Sequence, residues 1–483
     1  MVKISKTPFT EQISDIKRRL TTYKWEDGVR KINKEFFVET PTDIYLYNDE
    51  LVKYEMGATK FKIIKPFMNG AKANFKNIGP FKPYDYQEQV IVPVFKEAVK
   101  NKVSRFLFDM PTGTGKTFTS CELFNRIDKR FTILLPRYIE KWIKDIQQFI
   151  ELKDTDNDLF VIQGKDSLIK LMKMDTSEVP RIVIISTRTM TSAITHMING
   201  TYDEIYPMKL EDLIKHIKHD QILIDEAHQE FHAIYNILTV LNPKLTIGLS
   251  ATFDTPDQSQ EKFLTDVFPK EKRLNTVKQE KYRKVTSIEY RVGFTKNITV
   301  KSYFTKAYSH VTYESSILRN KLLKQRYFDM ILYALETYHI QTDNVDGRCL
   351  IFLETIKMIE EFIDFLREIY PNKSILKYTG KDPLNNILTA DISCSTLGSA
   401  STAIDVPNLK TVINTVSVKS IIRNTQAFGR LREIENCTPN YVYLWSPDIG
   451  SQASHHQLRI KYHKKEAKVW ELTEYPIDIN PAW

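Results

Sequence analysis

The sequence predicts an α/β protein of two tandem lobes, each a parallel sheet with helices on both faces, preceded by a small N-terminal α+β domain. Three observations carry this. Two successive series of short, continuously apolar segments alternate with helical stretches, which is how strands read when a parallel sheet buries both their faces. A chain of 483 residues has room for two to four domains at about 100–200 residues each. Its 42% hydrophobic and 27% charged residues can fill several ordinary cores, which excludes disorder and a disulfide-stapled miniprotein.

Residues 1–80 form the expected accessory domain. They open with an amphipathic stretch, EQISDIKRRLTTYKW, and then alternate in a β manner through EFFVETPTDIYLYNDELVKYEM and KFKIIKPF. After Gly79-Pro80 the first series begins: RFLFDM, FTILLP, RIVIIS, QILIDE and LTIGLS define a lobe over residues 81–275. The second series, RCLIFLE, SILKYTG, ADISCST, KTVINTVS and NYVYLW, defines a lobe over residues 276–448. The Lys/Arg-rich region that leads into it holds one strand (VTSIEYRV) and a long helical stretch (YESSILRNKLLKQRYFDMILYALE). Residues 449–483 read as a basic tail with a helix in SHHQLRIKYHKKEAKVWELT. There is no internal repeat and no low-complexity segment.

The formal charge of +9 and a pI near 9.0 favour an acidic partner, most commonly nucleic acid. No apolar run approaches the roughly 20 residues needed to cross a bilayer, and MVKISKTPFTEQISDIKRRL has no signal-peptide core. Cys121, Cys349, Cys394 and Cys437 stand too far apart to seed a zinc or redox motif. An intracellular, reduced, soluble protein is expected, with no membrane association.

The strongest local signal is RFLFDMPTGTGKTFTS: a strand ending at Asp109, a glycine-containing turn, and a helix opened by Gly115-Lys116-Thr117. Backbone N–H groups of such a turn, added to a helix N-terminus, cradle phosphate oxygens. Lys116 would reach the β- and γ-phosphates and the Thr117 hydroxyl would hold Mg²⁺. Gly113 supplies freedom in mid-loop, while Met110 stands where the usual pattern has its first glycine. In QILIDEAH an apolar strand delivers Asp225 and Glu226 at its carboxyl end, where ligands of open α/β sheets collect. Asp225 can hold Mg²⁺ through water, and Glu226 can orient or deprotonate an attacking water. LTIGLSATFD brings Ser250 and Thr252 to a further strand end, where hydroxyls can link a nucleotide site to its neighbours. TQAFGRLRE places Gln426, Arg430 and Arg432 on a predicted helix start, where arginine could stabilise charge developing on a γ-phosphoryl. Asp405, just upstream, could bind ribose or that arginine. His455, His456 and His463 invite a metal reading, but no cysteine or carboxylate pattern accompanies them, so a basic nucleic-acid-facing or surface helix is expected.

Over residues 81–448 these segments, in the order PYDYQEQV, MPTGTGKT, ILLPRYIEKW, IISTRTM, DEAH, SAT, CLIFLE, KYTG, STLGSASTAIDVP and QAFGR, resemble superfamily 2 helicases and translocases of the DEAH-box kind. The resemblance implies two RecA-like P-loop lobes with ATP and Mg²⁺ bound between them. It assigns Gln87 to the adenine edge, His228 to coupling with the SAT segment, and Arg430 to the arginine finger. It runs a nucleic-acid strand over Pro136, Arg137, Ser186, Thr187, Arg188, Thr379, Gly380 and Thr396. Two departures stand out: Ala403 replaces a family glycine, and the last arginine of the final motif falls on Glu433, with Arg432 one position early. Arg432 is therefore expected to serve closure or an ion pair with Asp405.

Compact size and the element TYESSILRN look like the phage branch-migration helicases of the UvsW type, and STLGSASTAIDVP also looks like the poxvirus transcript-release helicase. The expectation is an ATP-dependent DNA helicase or translocase. As a monomer, it would remodel single-stranded, forked or branched DNA in recombination, repair or replication. RNA, single-strand-binding proteins and replication proteins are further expected partners, in a host cytoplasm if the gene is phage-borne. The alternatives are a transcription-associated helicase that releases RNA or polymerase, and an ATP-gated DNA clamp.

Overall fold

The computed structural model describes residues 2–6, 10–26, 29–47, 61–100, 102–110, 114–136, 139–152, 158–227, 230–250, 261–275, 281–293, 298–342, 346–400 and 404–480. Contacts divide the chain into two compact units, Met1–Val277 and Lys278–Trp483.

The first unit opens with β1 (Val2–Ser5), a helix over Thr10–Arg19, and a hairpin of β2 (Thr21–Glu26) and β3 (Val29–Glu35). Then come β4 (Val38–Glu39), β5 (Asp43–Leu46) and β6 (Lys62–Ile63), which join β1 in an antiparallel sheet of order β4-β5-β1-β6. The amphipathic stretch EQISDIKRRLTTYKW is helical only to Arg19. Beyond it TTYKWE is rich in β-branched and aromatic residues, which suit a pleated strand. The N-terminal residues are not a separate body. Ile13, Ile16, Leu20 and Phe36 share one apolar core with Ile234, Leu238 and Phe263, and the Phe36 ring stacks on Phe263 at 3.8 Å.

The main sheet of this unit holds β7 (Ser104–Asp109), β8 (Phe131–Leu135), β9 (Leu159–Ile162), β10 (Ile182–Ser186), β11 (Gln221–Ile224), β12 (Leu245–Ser250) and β13 (Arg273–Asn275). All run parallel, in the order β13-β7-β12-β11-β8-β10-β9. β8, β10, β11 and β12 are buried along their whole length, as their apolar runs require. β12 lies between β7 and β11, pairing Ser250 with Asp109 and Gly248 with Ile224. Three strand ends remote in sequence therefore meet at one edge.

The second unit has a second all-parallel sheet: β14 (Lys284–Glu289), β15 (Arg348–Leu353), β16 (Ile375–Tyr378), β17 (Ile392–Thr396), β18 (Leu409–Asn414), β19 (Asn440–Trp445) and β20 (Val469–Glu474). Its order is β16-β17-β15-β18-β19-β14-β20. The long helical stretch before β15 is two helices, His310–Leu318 and Lys321–Leu335. They are divided where the Asn320 side chain accepts from Leu322 N–H at 3.0 Å and Leu323 N–H at 3.1 Å, an N-cap. On the first of them Glu314 is fully buried and accepts the N–H groups of Glu354 (2.8 Å) and Thr355 (2.7 Å) just past β15.

Residues 449–480 are part of this unit rather than a tail. The helix Gly450–Glu466 packs on the sheet and β20 pairs with β14. Its histidines do not lie on a surface face. Gln452, His455, His456, Arg459 and His463 recur every three to four residues on the buried stripe, so the core-facing period is written in polar residues. His456 stacks on Trp445 at 3.7 Å, and His455 Nδ1 lies 3.0 Å from Ser417 Oγ. Burial pushes His455 and His456 down to about 4 and His463 to about 3, so all three are neutral at pH 7.

Candidate nucleotide site and nucleic-acid contacts

The turn after β7 leads directly into the helix Lys116–Ile127. Gly115 has φ +75°, and a Cβ there would stand 2.7 Å from Gln87 Nε2, so only glycine admits both the turn and the glutamine. Gln87 is buried at the start of the helix Asp85–Val99. Its Nε2 donates to the Thr114 carbonyl (3.0 Å) and its Oε1 accepts the Tyr84 N–H (3.0 Å). A glutamine amide has two donors and two lone pairs, so each end keeps one position for a ligand. The Tyr86 hydroxyl donates to the same carbonyl at 3.3 Å, and Tyr84 stacks on Tyr86.

Lys116 Nζ is shielded from solvent and has no hydrogen-bond partner among the described residues. Shielding an ammonium without hydrogen-bond partners is costly, and a triphosphate at the helix N-terminus would supply acceptors that the nearby Asp225 charge does not. This orphaned cation fits ATP. Thr117, half-buried beside it, and Asp225 offer the hard oxygen donors that Mg²⁺ prefers.

The acidic pair is fixed by the neighbouring strands: Asp225 N–H donates to the Leu134 carbonyl (3.3 Å) and Ala227 N–H to that of Leu249 (3.0 Å). Between these anchors Glu226 adopts a left-handed backbone, φ +49°. Asp225 is buried. Its Oδ1 accepts the Glu226 N–H at 2.9 Å and its Oδ2 accepts Trp142 Nε1 at 2.8 Å. Burial and the Glu226 charge raise its pKa, while Lys116 and the Trp142 bond pull the other way. Trp142 is a site residue that the motifs alone do not single out. It closes the segment ILLPRYIEKW, and its signal in the sequence is that a buried indole N–H needs an acceptor. Ser250 is buried at the end of β12, between these two groups, and its carbonyl accepts the Met110 N–H at 3.0 Å. Gly113, Arg137, His228 and Thr252 lie outside the described residues.

The expected nucleic-acid residues divide sharply. In the first unit Pro136, Ser186 and Thr187 are buried, and the Thr187 hydroxyl donates to Glu230 at 2.6 Å, so its role is internal. Arg188 alone of the described residues in that set is exposed. In the second unit Thr379, Gly380 and Thr396 come together at the adjacent ends of β16 and β17. Thr379 bonds Asp382 (2.7 Å), Thr396 bonds Ser399 (2.7 Å), and a Cβ on Gly380 would lie 3.5 Å from that same Ser399 hydroxyl.

Arg430 and Arg432 do not open a helix. The helix Ile421–Phe428, capped by Ser420, ends at Gly429, and both arginines follow it. Arg430 is buried and donates to the Ile404 carbonyl. Arg432 Nε lies 3.0 Å from Asp405 Oδ1, the ion pair named above as one alternative, and its Nη1 donates to the Gly429 carbonyl. Gln426 is buried one turn earlier.

Comparison with known proteins agrees with this geometry. Residues 80–255 match the family model of the type III restriction enzyme res subunit. The chain is 24% identical over 381 residues to the transcript termination protein A18 of Yaba-like disease virus, covering 74% of this chain and 70% of the relative. It is 23% identical over 382 residues to that of Yaba monkey tumor virus, strain VR587. Among solved structures, S. cerevisiae dbp5 bound to gle1 and ip6 superposes with a TM-score of 0.51 at 15% identity, covering 82% of this chain and 90% of that one. A putative HsdR subunit of a type I restriction enzyme from Vibrio vulnificus does so with 0.52 at 13% identity, covering 99% and 85%. The two units are tandem RecA-like lobes. The protein is an ATP-hydrolysing enzyme, similar over residues 80–255 to the res subunit family and over about three quarters of its length to viral transcript termination proteins.

Proposed function

We propose that this enzyme is an ATP-driven translocase on DNA that releases transcripts from stalled transcription complexes. The observation that carries the reading is the similarity to two viral transcript termination proteins across about three quarters of the chain. In the proposed chemistry Lys116 binds the β- and γ-phosphates, Thr117 and Asp225 hold Mg²⁺, and Trp142 orients the Asp225 carboxylate. Bound Mg²⁺ supplies charge neutralisation on the phosphates. Glu226 takes a proton from the attacking water, and Arg430 has the finger role that the motif resemblance gives it. Gln87 turns its remaining donor and acceptor to the adenine edge. Arg188 in the first unit and Thr379, Gly380 and Thr396 in the second contact the phosphate backbone, so base sequence should matter little.

The competing substrate is forked or four-way DNA, suggested by the resemblance of Thr312–Asn320 to an element of the phage branch-migration helicases. One assay separates them. Purified enzyme with ATP is added to stalled ternary transcription complexes and, separately, to forks and four-way junctions, with Glu226→Gln as the control that binds ATP without turnover. Release of RNA by wild type alone supports the proposal. Unwinding of branched DNA without RNA release overturns it.

A further inference from the structure

The hairpin β2–β3 carries an exposed aromatic and cationic face that the motor motifs do not use. Strand alternation puts Tyr23 and Trp25 on one face, with Arg30 paired directly across from Trp25 and Ile32 across from Tyr23. Trp25 is 74% exposed, although an isolated tryptophan normally hides most of its surface. The Arg30 guanidinium lies 3.9 Å over the Tyr23 ring. Glu26 is on the opposite face, held by Lys24 (2.5 Å) and Lys31 (3.3 Å). Beside this face is a groove of about 470 Å³ lined, among the described residues, by Arg19, Tyr23, Trp25, Arg30, Lys262 and Phe263 with two threonines, none of them a carboxylate. Its floor is fixed, because Phe263 is buried in the core and stacked on Phe36 at the end of the hairpin.

Arg30 and Lys262, with no acid among the described lining residues, make the groove complementary to a phosphodiester, and an exposed indole beside them offers a stacking platform for a base. Bases in a duplex are already stacked on each other, so this pairing of chemistries selects an unpaired strand. We propose that the groove between the β2–β3 hairpin and the helix Glu261–Val267 is a second nucleic-acid site, for single-stranded DNA or RNA, outside the motor motifs. It rests on the reading of the enzyme as a nucleic-acid translocase, and through it the N-terminal region holds one strand while the motor advances.

The test uses the full chain, a mixed-sequence single-stranded oligonucleotide and a blunt duplex of the same length. Trp25→Ala should weaken single-strand binding at least about fivefold, the lower bound for one lost base–aromatic stack, while duplex affinity stays within about twofold. Arg30→Ala and Lys262→Ala should each reduce the salt slope of single-strand binding by about 0.7. ATPase activity without nucleic acid and the thermal midpoint should not change, since these side chains are exposed. Photocrosslinking an iodouracil-substituted strand should label the peptide containing Tyr23 and Trp25. Unchanged single-strand affinity in Trp25→Ala overturns the proposal, as does equal weakening for duplex, or dimerisation of wild type abolished by Trp25→Ala. If wild type binds neither strand nor duplex, it is the translocase reading that fails.

Discussion

Both units end their parallel strands in functional motifs, yet they treat charge in opposite ways. In the first, Lys116 Nζ is shielded from solvent with no described hydrogen-bond partner, and burial and the Glu226 charge raise the pKa of Asp225. In the second, Arg430 and Arg432 have donors committed to backbone carbonyls, and Arg432 is paired with Asp405. A charge left unsatisfied by its own fold marks where a ligand is required. A charge already satisfied can be recruited only by exchanging partners. On the proposed reading the first unit is thus a preformed receptor, and the second holds its cations in reserve.

The sharpest way to break this contrast is Lys116→Ala. ATP turnover should fall on the order of 10²–10³-fold, the usual cost of losing one preorganised charge contact. Activity within about threefold of wild type would mean that the orphaned ammonium is not the phosphate ligand. Next comes Arg430→Ala, expected to lose about 10²-fold in stimulated ATPase with near-normal nucleic-acid affinity. Arg432→Ala should lose less. Because Arg430 is buried, thermal unfolding must be read alongside; a loss of turnover that follows loss of folded protein would remove it from the chemistry.

The third test concerns how the second unit buries ionisable groups. Burial raises Glu314 to about 7 despite two backbone N–H donors. Its folded value exceeds the ordinary one, so its contribution is fully present below about pH 4.5 and is lost as pH rises through 7. The buried histidines act oppositely. His310 and His463, held near 3, and His455 and His456, near 4, add stability as pH climbs toward 6.5. Glu314→Gln should therefore gain stability relative to wild type between pH 4.5 and 7.5, on the order of 3 kcal/mol at full extent. A mutant-minus-wild-type difference independent of pH in chemical denaturation would show Glu314 ionised throughout. The smallest effect belongs to the Arg432–Asp405 pair. It is partly exposed, and Asp405→Ala should change stability by less than about 1 kcal/mol.

Most of both sheets is legible in the sequence because fully buried parallel strands announce themselves as apolar runs, as in RIVIIS and NYVYLW. The strands LFVI, RLN and VWELTE escape that signal: β9 and β13 are too short to stand out, and β20 is half-exposed at a sheet edge. The helix Gly450–Glu466 reads as a surface helix because its buried stripe is histidine, glutamine and arginine, of which Gln452, His455 and His456 find partners that only tertiary structure supplies. At the candidate site, residue identity singles out Lys116, Asp225 and Glu226. It does not reveal that Thr187 turns inward to Glu230, or that Trp142 reaches Asp225 across 83 residues. The spacing of Arg430 and Arg432 has meaning only on a helix, and that helix ends before either of them.

The place of β14 in its sheet also shapes how the chain is made. Its hydrogen-bonding neighbours are β19 and β20, and the nearer of these begins roughly 150 residues downstream. At synthesis rates of about 5–20 residues per second, KVTSIE would wait about 8–30 s on the ribosome with both edges unpaired. A β-prone, edge-exposed segment held open that long is a ready template for pairing with other chains. Expression yield of the second unit should therefore respond to chaperone supply and growth temperature.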